Sequence, residues 1–114
     1  MSGISPSSDF GSPLYAPVVA SAGTTTVVTN PNADLRLKIR VMAANVIASN
    51  PVNVKWQTST GPTDLTGFAY LAQNGGYILP YNPIGWFETL RGDNLLILLS
   101  AGVPVGGHIT YILA

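Results

Sequence analysis

Short runs of alternating apolar and polar residues, separated by glycine, proline and asparagine, recur about every ten residues along this 114-residue chain. In residues 35–41, leucine, isoleucine and valine alternate with Arg36, Lys38 and Arg40. Residues 52–58 alternate in the same way, and we expect them to be the hairpin partner of the first run. No window keeps the 3.6-residue period of a helix. The pattern therefore predicts an all-β chain.

The number and spacing of these runs indicate the architecture. Further runs at 14–19, 27–28, 68–72, 77–79, 86–90, 94–100 and 108–113 give eight or nine short strands. Asn74-Gly75-Gly76 predicts a hairpin turn between two of them. A chain of this length forms one domain. We expect a single antiparallel β-sandwich, jelly-roll-like, over residues 14–114. Residues 1–13, rich in serine, glycine and proline, predict an extended, flexible N-terminal arm.

Charge is scarce in this sequence. Charged residues make up 9% of the chain, with five Lys and Arg balancing five Asp and Glu, whereas soluble domains carry about 25%. A balanced charge gathers neither nucleic acid nor anionic lipid. The longest aliphatic run, residues 95–99, is far shorter than the ~20 residues that cross a bilayer. We therefore expect no nucleic-acid partner and no membrane, and a surface much of which is covered by other protein.

The residue types that carry catalysis or bind metals are few. Cysteine is absent and His108 is the single histidine, so a transition-metal site lacks donors. Gly75-Gly76 and Gly106-Gly107 are not followed by the helix that would make them phosphate cradles. Glu88 and Asp93 could pair across a turn, but solvated turn charges are the expectation. The sequence predicts no enzyme, no cofactor and no metal.

The run of five aliphatic residues at 95–99 predicts an interface. A strand in a two-layer sandwich points only every second residue into the core. Either Leu95, Ile97 and Leu99 fill the core while Leu96 and Leu98 face a neighbouring copy, or the reverse holds. We take Leu96 and Leu98 as the candidate oligomer interface. Trp56 shares a strand face with Val52 and Val54 and is predicted to be core.

Aromatic residues gather around two turns rich in glycine and proline. Tyr77, Tyr81 and Trp86 form a candidate surface cluster that could stack against a sugar. The alternative interpretation is that Trp86 and Phe87 straddle a strand, one filling the core and the other an interface.

Several blocks of the chain resemble small proteins of tailed bacteriophages and prophages. These blocks are Asp-Leu-Thr-Gly at 64–67, the segment from Leu71 to Pro83, and Gly-Trp-Phe-Glu-Thr at 85–89. The most specific part runs from Asn74-Gly75-Gly76 through Gly-Trp-Phe-Glu-Thr. The similarity continues through 98–101, 105–107 and 110–111, and it covers about residues 35–114. The best-understood group that the chain resembles is the capsid decoration, or cement, protein.

This resemblance implies a non-enzymatic β-sandwich homotrimer seated on the major capsid protein at the outer surface of an icosahedral head. The protein would be made in the host cytoplasm and located in the virion. The expected capsid contacts are Ile4 and Phe10 of the arm and Arg36, Lys38 and Arg40. The alternative expectation is a trimeric head-fibre or host-recognition module whose aromatic cluster binds carbohydrate.

Overall fold

The structure, a computed structural model, describes residues 12–31 and 36–114. These residues form ten strands and no helix. The all-β prediction is confirmed, and the count exceeds the predicted eight or nine because the two-residue β5 has no alternation to signal it. The strands are β1 (Leu14–Ala20), β2 (Thr24–Val28), β3 (Ile39–Ala48), β4 (Val52–Thr58), β5 (Thr63–Asp64), β6 (Ala69–Leu71), β7 (Gly76–Leu79), β8 (Phe87–Glu88), β9 (Leu95–Leu99) and β10 (Val105–Leu113).

Two five-stranded antiparallel sheets pack together as a sandwich, as the spacing of the runs predicted. Sheet A has the order β1-β10-β3-β7, with β8 also pairing with β3. Sheet B has the order β2-β9-β4-β5, with β6 also pairing with β4. Successive strands such as β1 and β2, or β3 and β4, therefore belong to different sheets. The first and last strands of the chain are neighbours in sheet A.

The core lies between the two sheets and follows the alternation in each strand. In β4 the side chains of Val52, Val54 and Trp56 are buried, and Trp56 is fully enclosed, as predicted. Ile39 and Ile109 of sheet A are also fully buried. Burying one such side chain contributes about 1.5–3 kcal/mol, so this shared interior holds the sheets together.

A bulge in β3 keeps its apolar residues pointing inward. Tyr111 pairs with Val41 and Thr110 with Ala43, so Met42 is an extra residue on β3. Val41 and Ala44 consequently both face the core although they are three positions apart. Met42 is buried outside this core cluster, beside Gly85, where a Cβ would lie 3.5 Å from the Met42 sulfur and 2.6 Å from the Arg40 side chain. Gly85 also has a φ of 95°, which favours glycine.

Two predicted hairpins are wrong. Asn50-Pro51 connects β3 in sheet A to β4 in sheet B, and Asn74-Gly75-Gly76 connects β6 in sheet B to β7 in sheet A. The turns occur where the sequence places them, but each turn crosses the sandwich instead of joining paired strands. The strand predicted from Leu35 begins at Ile39. Arg36 has a φ of 57°, outside the strand region, and Leu35 lies outside the described residues.

Candidate interaction surfaces

The outward side of sheet A carries a broad uncharged surface, which we call the apolar face. Four of its large side chains are exposed, namely Tyr15 at 75%, Val19 at 76%, Ile47 at 53% and Ile78 at 69%. None of its residues is an aspartate, glutamate, lysine or arginine. The apolar face consists of Tyr15, Pro17, Val19, Ala43, Asn45, Ile47, Gly76, Ile78, Gly106, His108 and Thr110.

Glycines leave gaps between the projecting side chains of the apolar face. Val19 lies opposite Gly106, Gly106 opposite Ile47, and Ile47 opposite Gly76. Projecting side chains therefore alternate with gaps across neighbouring strands. Open depressions of about 630 and 390 Å³ lie on the two sides of Ile47. Glycine is required at Gly76, because a Cβ there would overlap the carbonyl oxygen of Val46.

A cluster of charges lies at the other end of sheet A. Lys38 Nζ contacts Glu88 Oε1 and Arg40 Nε contacts Glu88 Oε2, each at 3.0 Å. Burial alone would raise the pKa of Glu88, but the hydrogen bonds from Lys38 and Arg40 hold it below its usual value. Arg36 lies in the turn before β3, where its carbonyl oxygen accepts a hydrogen bond from Arg91. The structure therefore does not place the three cations in a row on one strand face. Lys38 and Arg40 share the Glu88 carboxylate, and Arg36 lies outside the strand.

The aromatic residues of the predicted surface cluster divide between inside and outside. Tyr77 points inward, and its hydroxyl accepts a hydrogen bond of 2.6 Å from the Trp56 indole N–H. Desolvation raises the pKa of Tyr77 although that hydrogen bond acts in the opposite direction. Tyr81 and Trp86 are 60% and 43% exposed. Phe87 packs against Trp56 with ring centroids 5.9 Å apart, whereas Trp86 precedes β8 and is partly exposed. The interpretation that one of the two residues fills the core is confirmed for Phe87, and an interface at Trp86 stays a prediction.

The side chain of Trp86 is hydrogen-bonded to the loop that follows β7. Its indole N–H donates to the Pro80 carbonyl at 2.8 Å. A depression of about 340 Å³ on one side includes Arg40 and Glu88 in its wall. Another of about 320 Å³ includes Phe68 and Trp86. The exposed indole consequently has an ion pair on one side and apolar carbon on the other.

Strand β9 places Leu96 and Leu98 on the outer side of sheet B. Leu95, Ile97 and Leu99 fill the core. Leu96 is only 7% exposed, since Thr26 and Gln57 flank it on the neighbouring strands. Leu98 is half-buried. This side of β9 therefore leaves less apolar surface for a neighbour than the sequence suggests. Ile4 and Phe10, the candidate contacts on the arm, lie outside the described residues.

The carboxylates that were considered for catalysis have separate structural partners. Asp93 accepts hydrogen bonds from Thr58 Oγ1 at 2.6 Å and from the Thr60 amide at 2.8 Å. Burial alone would raise the pKa of Asp93, but these bonds hold it below its usual value. Glu88 is engaged by Lys38 and Arg40, and His108 is exposed on the apolar face. Over residues 12–31 and 36–114, no three metal-ligating side chains come together.

No protein-family model and no curated protein sequence matches this chain. The structure has no helix, within the residues it describes, of the length and apolarity that spanning a membrane requires. The apolar face and the exposed Trp86 are the two candidate interaction surfaces that we take forward. The sequence analysis missed the first, although Val18-Val19-Ala20 and Val46-Ile47-Ala48 signal it by being apolar at successive positions.

Proposed function

We propose that the protein is a non-enzymatic structural protein of a phage virion, which binds the outer surface of the capsid as a decoration protein and stabilises the head. The apolar face carries the proposal. Exposed, contiguous apolar surface on a small domain marks a protein–protein contact. With charged residues at only 9% of the sequence, this chain suits a particle in which much of its surface is covered. The resemblance of residues 35–114 to phage decoration proteins supplies the partner, the major capsid protein.

We also propose that the sandwich is a jelly roll. The strand orders support this, because β1 pairs with β10 in one sheet and β2 pairs with β9 in the other. The pairing is nested, as when a long hairpin is rolled up. Further in, β3 pairs with β10 and with β7 in one sheet, and β4 pairs with β9 in the other. Jelly rolls build both viral capsid domains and lectins. The fold is therefore compatible with a virion role without establishing it.

A decoration protein stabilises the head through binding that depends on the state of the shell. An oligomer that spans capsid subunits adds contacts where the subunits meet. At 100-fold excess over its dissociation constant, binding stabilises each site by about 2.7 kcal/mol. The effect requires that the expanded shell bind the oligomer better than the unexpanded shell does.

Sedimentation with purified phage heads tests this function. We expect the protein to pellet with expanded heads of its phage, to saturate at a fixed number of copies per head, and to bind unexpanded heads more weakly. Saturated heads should retain their DNA to a higher temperature than undecorated heads. Recovery that never saturates, or binding that leaves DNA release unchanged, would contradict the proposal.

A second candidate function rests on Trp86, whose partly exposed indole lies beside the Arg40–Glu88 ion pair. Aromatic rings stack against the apolar faces of sugars, and charged groups bind their hydroxyls. Under this candidate the protein is a head-fibre or host-recognition module that binds carbohydrate. Glycan-array binding that disappears in Trp86→Ala, but persists in Tyr70→Ala at a more exposed aromatic on sheet B, would favour it.

A further inference from the structure

We propose that copies of this chain associate through the apolar face, so that the occupant of this face is a second copy of the same chain. Tyr15, Val19, Ile47 and Ile78 expose between 53% and 76% of their surface there. These four come from β1, β3 and β7, on both sides of β10, which contributes Gly106, His108 and Thr110 to the same face. The inference deepens the proposed function and rests on it, since it names the surface that joins the copies of the proposed homo-oligomer.

The ridges and gaps of the apolar face are suited to contact with the same face of a second copy. Val19 and Ile47 project while Gly106 and Gly76 leave gaps between and beside them. Neighbouring strands are about 4.8 Å apart, so ridges and gaps alternate at the spacing of side chains on any similar sheet. A second copy presents the same alternation. Its ridges can therefore fill the depressions on the two sides of Ile47.

The charges favour the same occupant. The apolar face has no charged side chain, and Lys38, Arg40 and Glu88 are confined to the far end of sheet A. A face without charge meets its own copy without like-charge repulsion. Interfaces between identical chains are also more apolar than other protein contacts.

The apolar face is large enough to supply a large part of the area that each partner buries in a stable interface. Seven residues on each of β1, β10 and β3 and the four residues of β7, at about 4.8 Å between strands and about 3.3 Å per residue, span about 400 Å² in projection. A stable interface buries about 800 Å² on each partner. Accessible area exceeds projected area on a ridged surface, and the loops that border sheet A extend the contact.

Light scattering on matched variants tests the assignment without phage heads. Ile47→Asp combined with Ile78→Asp places two carboxylates in the contact, and we expect the mass to fall from that of the oligomer to the 11.9 kDa of one chain. Both side chains are exposed in the monomer, so β-type circular dichroism should persist. The control is Ile84→Asp, at an isoleucine 81% exposed on the loop before Trp86. It should keep the wild-type mass.

Photo-crosslinking gives a second measurement that does not depend on the variants folding as monomers. A photoreactive phenylalanine analogue at position 78 should form adducts between copies, whereas the same analogue at position 84 should not. An oligomer that survives the double substitution, or absence of adducts at position 78, overturns the inference. A monomeric wild-type protein also overturns it and assigns the face to the capsid or to residues 1–11.

Different results would contradict the proposed function and the assigned surface. A protein that saturates heads but keeps its mass in the double variant contradicts the assigned surface alone. A protein that associates through the apolar face but binds no heads contradicts the proposed function alone.

Discussion

At the scale of single residues, the hydrogen bond between Trp56 and Tyr77 joins the two sheets inside the core. Trp56 belongs to β4 of sheet B and Tyr77 to β7 of sheet A, and the donor and acceptor are 2.6 Å apart. Trp56 is the largest fully buried side chain of the chain's described residues. Its ring is packed on one side by Phe87, and its polar N–H is satisfied by the Tyr77 hydroxyl.

Trp56→Ala should therefore cost about 3–5 kcal/mol of unfolding free energy, the range for emptying a large aromatic site. Denaturant melts of the wild type and the variant measure the difference. A loss below about 1 kcal/mol would mean that Trp56 is not enclosed as the structure has it.

Tyr77→Phe should cost less, about 1–3 kcal/mol, because it leaves the buried Trp56 N–H without an acceptor. It should also change the alkaline stability. Burial raises the pKa of Tyr77 above its reference value of 10.0, so the stabilisation is complete below pH 10 and is lost as the pH rises through the folded-state pKa. The variant should lack that part of the alkaline decline. Tyr81→Phe, at an exposed tyrosine, is the control, and equal alkaline curves for wild type and Tyr77→Phe would contradict the assignment.

At the scale of strands, alternation predicted what lies inside but not which strands pair. The inward residues of β4 and β9 follow from a period of two, because one side of each strand meets the core. The pairing does not follow, since Asn-Pro and Asn-Gly-Gly turns serve both hairpins and crossings between sheets. The sequence predicted the start of β3 too early. The alternation of apolar and basic residues already begins before Arg36, but the backbone at Arg36 has a positive φ and forms a turn.

A run of consecutive apolar residues, which predicted an interface at β9, also occurs in the strands that form the apolar face. Residues 18–20, 46–48 and 77–79 are apolar or aromatic at every position, as residues 95–99 are. Each of these segments exposes its middle residue, whereas Leu96 in β9, which lies between Thr26 and Gln57 in the sheet, is buried. The difference depends on what the neighbouring strands place beside each residue, which one strand's sequence does not contain. Pairing thus decides which apolar run becomes surface.

Leu98→Asp separates the two candidate contacts between copies. Leu98 is the more exposed of the two leucines that the sequence singles out on the outer side of sheet B. If copies meet through the apolar face, this variant should keep the wild-type mass in light scattering. A monomeric Leu98→Asp with wild-type circular dichroism would instead place the contact on β9, as the sequence predicts.

The N-terminal arm predicted over residues 1–13 gives a second test at this scale. Deleting residues 1–12 should preserve the fold, because β1 begins at Leu14. The deletion should weaken attachment to heads if Ile4 and Phe10 contact the capsid. Quantitative sedimentation with expanded heads compares the two proteins, and equal affinities would show that the arm does not contribute.

At the scale of the whole molecule, the few charges of the chain are largely used to hold it together. Glu88 binds Lys38 and Arg40, and Asp64 binds Lys55 at 2.9 Å. None of these charged residues lies on the apolar face. Surfaces of that kind are covered in working assemblies, because exposed apolar patches otherwise cause aggregation.

The mass of the full-length wild-type protein in solution tests this account most directly. We expect the chain to work as an oligomer whose apolar face is covered by the same face of another copy. Contact between the same face of two copies has two-fold symmetry. Multi-angle light scattering should therefore give about 24 kDa, the mass of two chains, or an even multiple of the chain mass. A mass of 11.9 kDa at every concentration tested would contradict the account.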